Sequence, residues 1–295
     1  MRLNCDKPVE DIRQFRKTME HPASGGHREL SWQLYARLIQ PFAHLLSNRN
    51  LIIVPHGALH YLPFNALHDG QGYLIERYRI RMLPSASVIK YLPAKKFLRP
   101  GNILVFGNPD LGDPHYDLVY AQDEAINIAN ILPKSTVLLR KKATETAFKT
   151  YGGGFDFIHF AAHGQFNAEA PLKSAIMLAK DAQSDGMLTV DKLYSMKLNA
   201  DLVTLSACET GLGKIANGDD IVGLTRGFLY AGSSSIVASL WKVDDLATSH
   251  LMIKFYSNLM KSDEREALRS AQLDTKEKFP HPFYWASFQL TGNSR

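Results

Sequence analysis

An α/β fold on a mainly parallel sheet, with helices over both faces, is predicted by three observations. From about residue 102 onward, short and nearly continuous apolar runs recur between turns, among them NILVFGNP, FDFIHFAAHG, DLVTLSACETG and SSIVASLW. Strands buried on both faces read this way, whereas strands with one wet face alternate. Segments with a 3.6-residue apolar period separate these runs, giving the strand–helix–strand order of a parallel sheet. The composition is ordinary for a globular chain, with 295 residues, 45% hydrophobic and 21% charged, so a core forms without staples.

In chain order, residues 1–29 are polar with a Pro-Ala-Ser-Gly-Gly break and read as a leader detached from the core. Leu30, Leu34, Leu38, Ile39, Phe42 and Leu45 keep a helical period, and Pro41 starts a second short helix. LIIVP (51–55) is a strand, and YLIERYRIRML (73–83), with its alternation, is another. Residues 1–100 therefore form a smaller α+β portion docked on residues 101–295, and KYLPAKKFLRPG (90–101), with two prolines and a glycine, is the linker. Beyond it, strands are predicted at 102–109, 136–140, 155–164, 175–179, 201–211, 234–241 and 285–292. Helices are predicted around Ala121–Leu132, after the N-cap signal of Thr144 and Glu145, at 220–232 with a closing glycine, and around Met252–Leu259.

Several function classes are disfavoured. Two cysteines, Cys5 and Cys208, in unlike contexts exclude a disulfide framework, so a reducing cytoplasm is the expected compartment and Cys208 can persist as a thiol. No membrane span or signal-peptide core is present in the sequence. The net charge of +5 is mild and its basic groups, Arg140 to Lys142 and Lys90 with Lys95, Lys96 and Arg99, are not interleaved with aromatics, so direct nucleic-acid binding is not expected. His56, His60 and His68 have metal-like spacing but sit in a strand-to-turn segment, and no metal or cofactor is expected. Gly211, Gly213 and Lys214 lack the full phosphate-loop frame.

Two strands end in reactive side chains. His163 and Gly164 close one, Cys208 the other, and chemistry in open α/β sheets collects at the carboxyl ends of strands. If the two strands are neighbours, the side chains share a cleft. A thiol activated by an imidazole is a strong nucleophile, and the same imidazole can protonate a leaving amine. The amides of Gly164 and Cys208 would form an oxyanion hole. From spacing alone, a strand-end cysteine and histidine are more often packing residues.

The wording of the motifs decides between these readings. LIIVPHGALHYLPFNAL, YLIERYRIRMLPS, DFIHFAAHGQF, SAIMLA, DLVTLSACETGLG, NGDDIVGLTRGFLYAGSSSIVASLWKVDDLAT and FYWASFQLTG, in this order from about residue 31, resemble the CHAT domains, which group with caspases, separases and gingipains. The resemblance implies a caspase-like three-layer sandwich and a cysteine endopeptidase that cleaves protein substrates through an acyl-enzyme on Cys208, with His163 as acid/base. It also implies a tetratricopeptide-repeat regulator or upstream domain, on a separate chain or on a longer one of which this is a part, and is compatible with a role in bacterial defence. The alternatives are a catalytically silent CHAT scaffold or sensor, and an acyltransferase using the same nucleophile. By likeness to separases, Asp245, with Asp244 as second choice, meets a basic side chain before the scissile bond, while one of the two caps the following helix. Glu209 and Trp241 complete the substrate-binding candidates, Trp241 as core or cleft wall. Loops 165–174 and 209–219 flank the dyad with little apolar content, so a latent enzyme that needs a partner is expected.

Overall fold

Period-two burial along the central strands sends alternate side chains to two separate cores, and this organises the molecule. The computed structural model describes residues 6–23, 25–46, 50–87, 101–167, 169–209, 220–242 and 244–293. The chain runs through α1 (Asp6–Glu20), α2 (His27–Leu38), β1 (Asn50–Ile53), α3 (Leu74–Arg77), β2 (Arg79–Met82) and β3 (Asn102–Pro109). It continues as α4 (Val119–Ile131), β4 (Lys134–Arg140), α5 (Glu145–Tyr151), β5 (Phe157–Gln165), β6 (Ala175–Met177), β7 (Met187–Thr189), α6 (Val190–Leu193) and β8 (Leu202–Glu209). The last elements are α7 (Asp220–Tyr230), β9 (Ser235–Ser239), α8 (Asp245–Leu259), α9 (Glu264–Lys278), α10 (Pro282–Trp285) and β10 (Phe288–Gly292).

Among the described residues, ten strands form one sheet in the order β1-β2-β10-β9-β8-β5-β3-β4, with β6 paired to the end of β5 and β7 to β6. The pairs are parallel except β10 with β9, β6 with β5 and β7 with β6. Ile103, Val105, Phe157, Leu202 and Val237 face a core shared with α1, α2, α4, α8 and α9. Their neighbours Leu104, Phe106, Ile158, Phe160, Val203, Leu205 and Ile236 face the other core, with α5, α6 and α7. This is an α/β three-layer arrangement. Gly107 lets α4 approach the sheet, since a Cβ there would stand 2.5 Å from that of Ala125. Gly232, at φ +111°, ends the segment of α7 where a Cβ would meet the Leu198 carbonyl oxygen at 2.3 Å.

Two expectations are corrected. The polar leader is not detached. Ile12, Phe15 and Met19 form an i, i+3, i+7 stripe on α1 and are almost wholly buried in the first core, with charged neighbours such as Arg13 and Lys17, exposed on the outer side, masking the stripe. Segment 73–83 is not one strand, because its first half is the turn α3, which sends the consecutive residues Leu74 and Ile75 into the core together. Residues 1–100 join the rest of the chain through the sheet. Strand β10 pairs antiparallel with β9 and offers its other edge to β2, so both halves of the chain share one sheet and one core. Helix α9, unforeseen, is polar except for Ala267, Leu268, Ala271 and Leu273, too few apolar side chains to stand out in the sequence. Most of the expected linker, residues 90–100, lies outside the described residues.

Candidate functional site

Strands β5 and β8 are parallel neighbours in unbroken register from Phe157↔Leu202 to Gly164↔Glu209, and His163 is paired with Cys208. Without a bulge, paired residues keep the same face of the pleat. His163 thus belongs to the α4/α8 side of the sheet, at the carboxyl end where β3 has already left β5 and β6 has taken its place, with His163↔Met177 as the pair. The side chains of Cys208 and Glu209 lie outside the described residues. Their backbone positions are those above.

His163 is 7% exposed. Its Nε2 stands 2.8 Å from the backbone carbonyl of Tyr116. A carbonyl only accepts, so Nε2 carries the proton and Nδ1 presents its lone pair. Nδ1 is buried without a hydrogen-bond partner among the described residues. The Tyr116 ring meets the imidazole edge-on, with centroids 5.7 Å apart, fixing its plane. The β3–α4 loop is shaped to deliver this carbonyl. Asn108, at φ +44°, accepts the Leu118 amide at 3.1 Å through its side chain, Asp113 accepts the His115 amide at 2.9 Å, and Arg140 pairs with Asp117. Sequence reasoning missed Tyr116. A main-chain acceptor has no side-chain signature.

Deeper on the same face lies a buried polar chain that motifs also did not reveal. His159 bridges Glu124 Oε1, 2.8 Å from its Nε2, and the Tyr256 hydroxyl, 3.2 Å from its Nδ1. Tyr256 in turn donates to Thr204 at 2.9 Å. Burial pushes the Tyr256 hydroxyl far above its ordinary range. The signal was present as the alternation of His159 with His163 in FDFIHFAAHG, two residues of one face.

The two aspartates at the start of α8 take different parts. Asp244 has extended backbone and its carboxylate accepts the Ala247 amide at 2.9 Å, so it is the N-cap. Asp245, the first helical residue, is half-buried and is left out of the capping bond. Burial foremost, then Glu124 and Asp244, raises its carboxyl above the ordinary aspartate range, while His163 and Lys242 act in the opposite sense. It therefore sits in the field of His163. Of the two readings of Trp241, the core one holds and the substrate-binding one is corrected: it is 0% exposed, packs in the first core and donates from its indole nitrogen to the Phe283 carbonyl at 3.1 Å, so it cannot touch a substrate in this arrangement.

Gly164 lies inside the ladder, between Ile176 of β6 and Glu209 of β8. The loop after β5 carries two side-chain acceptors for its own amides. Asn167 accepts the amides of Glu169 and Ala170 at 3.1 and 2.8 Å, and Ser174 accepts the amide of Asn167 at 3.0 Å. Residues 210–219 of the second flanking loop, with Gly211, Gly213 and Lys214, lie outside the described residues. His68 accepts the Gly70 amide at 3.0 Å through Nδ1, and no group of three or more metal-ligating side chains occurs among the described residues. No described helix is long and apolar enough to cross a membrane.

The CHAT domain family model matches residues 28–293. Tetratricopeptide repeat protein 28 of Homo sapiens is 25% identical over 301 residues, covering 83% of this chain, and that of Mus musculus 24% over 300 residues. The chain spans only 12% of the length of either relative. Among solved structures, the Arg-specific cysteine proteinase gingipain R superposes with a TM-score of 0.55 at 12% identity, over 98% of this chain and 75% of that one. Separase in the Saccharomyces cerevisiae separase–securin complex gives 0.56 at 12% identity, over 98% and 23%. At these identities the likeness is one of fold, and the fold is caspase-like.

Proposed function

The chain belongs to the CHAT domain family, and from that premise we propose that it is a cysteine endopeptidase with Cys208 as nucleophile and His163 as acid/base. The observation that carries this reading is the pairing of His163 with Cys208 across adjacent parallel strands, joined to an imidazole whose Nε2 proton is held by the Tyr116 carbonyl. That bond leaves Nδ1 as the base and stabilises the imidazolium once formed. In the first step Nδ1 takes the thiol proton and the sulfur attacks the peptide carbonyl. The tetrahedral intermediate collapses as Nδ1–H protonates the leaving amine. Water, deprotonated by the same nitrogen, then opens the thioester and frees the thiol.

Asp245 is proposed to select a basic residue before the scissile bond. It is the member of the aspartate pair not committed to capping, and the fold relative gingipain R is described as Arg-specific. A partly desolvated carboxylate opposite a guanidinium forms a strong charge-assisted pair. Glu209, beside the nucleophile, remains a candidate for the same cleft. A repeat-protein partner or upstream repeat domain as activator is supported by the names of the sequence relatives and by the small share of them that this chain spans. The second reading is a silent scaffold. An electrophilic peptide ending in arginine decides between them: covalent labelling at Cys208 that disappears in Cys208→Ala supports the enzyme. No labelling, with or without a repeat partner, leaves the scaffold.

A further inference from the structure

Helix α1 precedes the residues matched by the family model, yet it places one charged side chain deep in the molecule. Arg16 is 1% exposed. Burying a guanidinium is costly unless its donors are used and its charge is paired. Its Nε donates to Glu20 at 2.7 Å, its plane lies 5.1 Å from the centre of the Tyr61 ring, and an Nη donates to the main-chain carbonyl of Leu240. That carbonyl lies just past the end of β9, and Leu240 is itself 1% exposed. The neighbouring groups are fixed as well: the Leu240 amide donates to Ser287 at 2.8 Å, and the Trp241 indole to Phe283 at 3.1 Å.

Resting on the peptidase reading above, we propose that Arg16 is a positioning residue for substrate selection, holding the Leu240 carbonyl so that the short segment after it presents Asp245 to the cleft. Only Trp241, Lys242, Val243 and Asp244 separate the two. A buried carbonyl that loses its donor must hydrate or rotate, and rotation at Leu240 moves Asp245 with it. Nothing in this role touches the reacting atoms, so turnover of bound substrate is preserved.

Arg16→Met keeps the aliphatic stem and removes the donors. It is expected to raise KM for a peptide with Arg before the cleaved bond about tenfold, with kcat nearly unchanged and no change in KM for the same peptide with Leu in that position. Amide hydrogen exchange across 240–248 rises, while exchange in β4 stays as in the wild type. Arg16→Lys, which can still donate once, restores part of the selectivity. Phe15→Leu serves as control, since it loosens α1 without removing the bond to Leu240, and should lower the melting temperature while leaving the Arg/Leu ratio intact. Unchanged exchange at 240–248 in Arg16→Met overturns the proposal, as does an equal loss of selectivity in Phe15→Leu. If exchange rises but the wild type shows no Cys208-dependent cleavage, the peptidase reading fails and the link from α1 to this segment stands.

Discussion

At the scale of single residues, the proposed site gives each side chain a different task. Replacing either proposed catalytic side chain, in Cys208→Ala or His163→Ala, is expected to cut peptide cleavage by at least about 10³-fold, because nucleophile and base act as one unit. Circular dichroism should match the wild type, and wild-type turnover by either variant would refute the assignment. Asp245 makes a separate prediction through its charge. Its carboxyl titrates above the ordinary aspartate range, chiefly through burial, so it is neutralised earlier as pH falls. KM for an Arg peptide should therefore rise on acidification at a pH where an ordinary aspartate is still ionised, while KM for a Leu peptide does not. In Asp245→Asn the Arg preference is lost at every pH, at a cost of about 2–5 kcal/mol. Parallel pH profiles for the two peptides would exclude Asp245 from the pocket.

At the scale of elements, the starts of α2 and α10 meet through a histidine pair. The rings of His27 and His281 touch edge-on with centroids 4.5 Å apart, and His281 also caps α10 by accepting the Phe283 amide at 3.1 Å through Nδ1. Burial, and then the charge of His27, lowers His281 to about 4 from the usual 6.5. His27 is lowered by burial and then by Arg28. Both pKa values are depressed, so the unfolded chain binds protons that the folded chain refuses. Stability is unaffected above about pH 7, falls as pH drops through the unfolded value near 6.5, and stops falling from this source below about 4. Urea midpoints between pH 7.5 and 4.5 measure the slope. His281→Asn, which can still cap, should flatten it, and an unchanged slope would acquit the pair.

At the scale of the whole molecule, the decisive feature is the return of β10 to meet β2. Without β1 and β2, the outer edge of β10 would be bare, and Met82, Leu62, Phe64 and Leu67 would no longer cover the first core. Residues 101–295 alone are thus expected not to fold into a native-like unit, and the full chain should melt in one transition. Calorimetry checks the second statement, and expression of the fragment the first. A soluble fragment with a sharp melting transition would mean that the shared sheet is not required.

How much of this was legible beforehand follows from the range of the interactions involved. The local period of the apolar residues determined most strands from 102 onward (though not β7), the helix between Ala121 and Leu132, the cap at Thr144, which accepts the Ala147 amide at 3.0 Å, and the placing of His163 and Cys208 at strand ends, because pleat and helix repeat within a few residues. Strand order was not in that period. That His163 is paired with Cys208 follows from β5 and β8 being neighbours in register, a matter of how sheets close over two cores. The Tyr116 carbonyl, the Arg16 bond to Leu240, 224 residues away in the chain, and the burial of Trp241 come from contacts distant in sequence, where neither main-chain acceptors nor burial leave a local trace. Composition misjudged α1 for the same reason: three buried side chains among many charges are a core element only once something lies opposite them. The sequence by itself determined which residues were available for chemistry, and tertiary packing decided which of them meet.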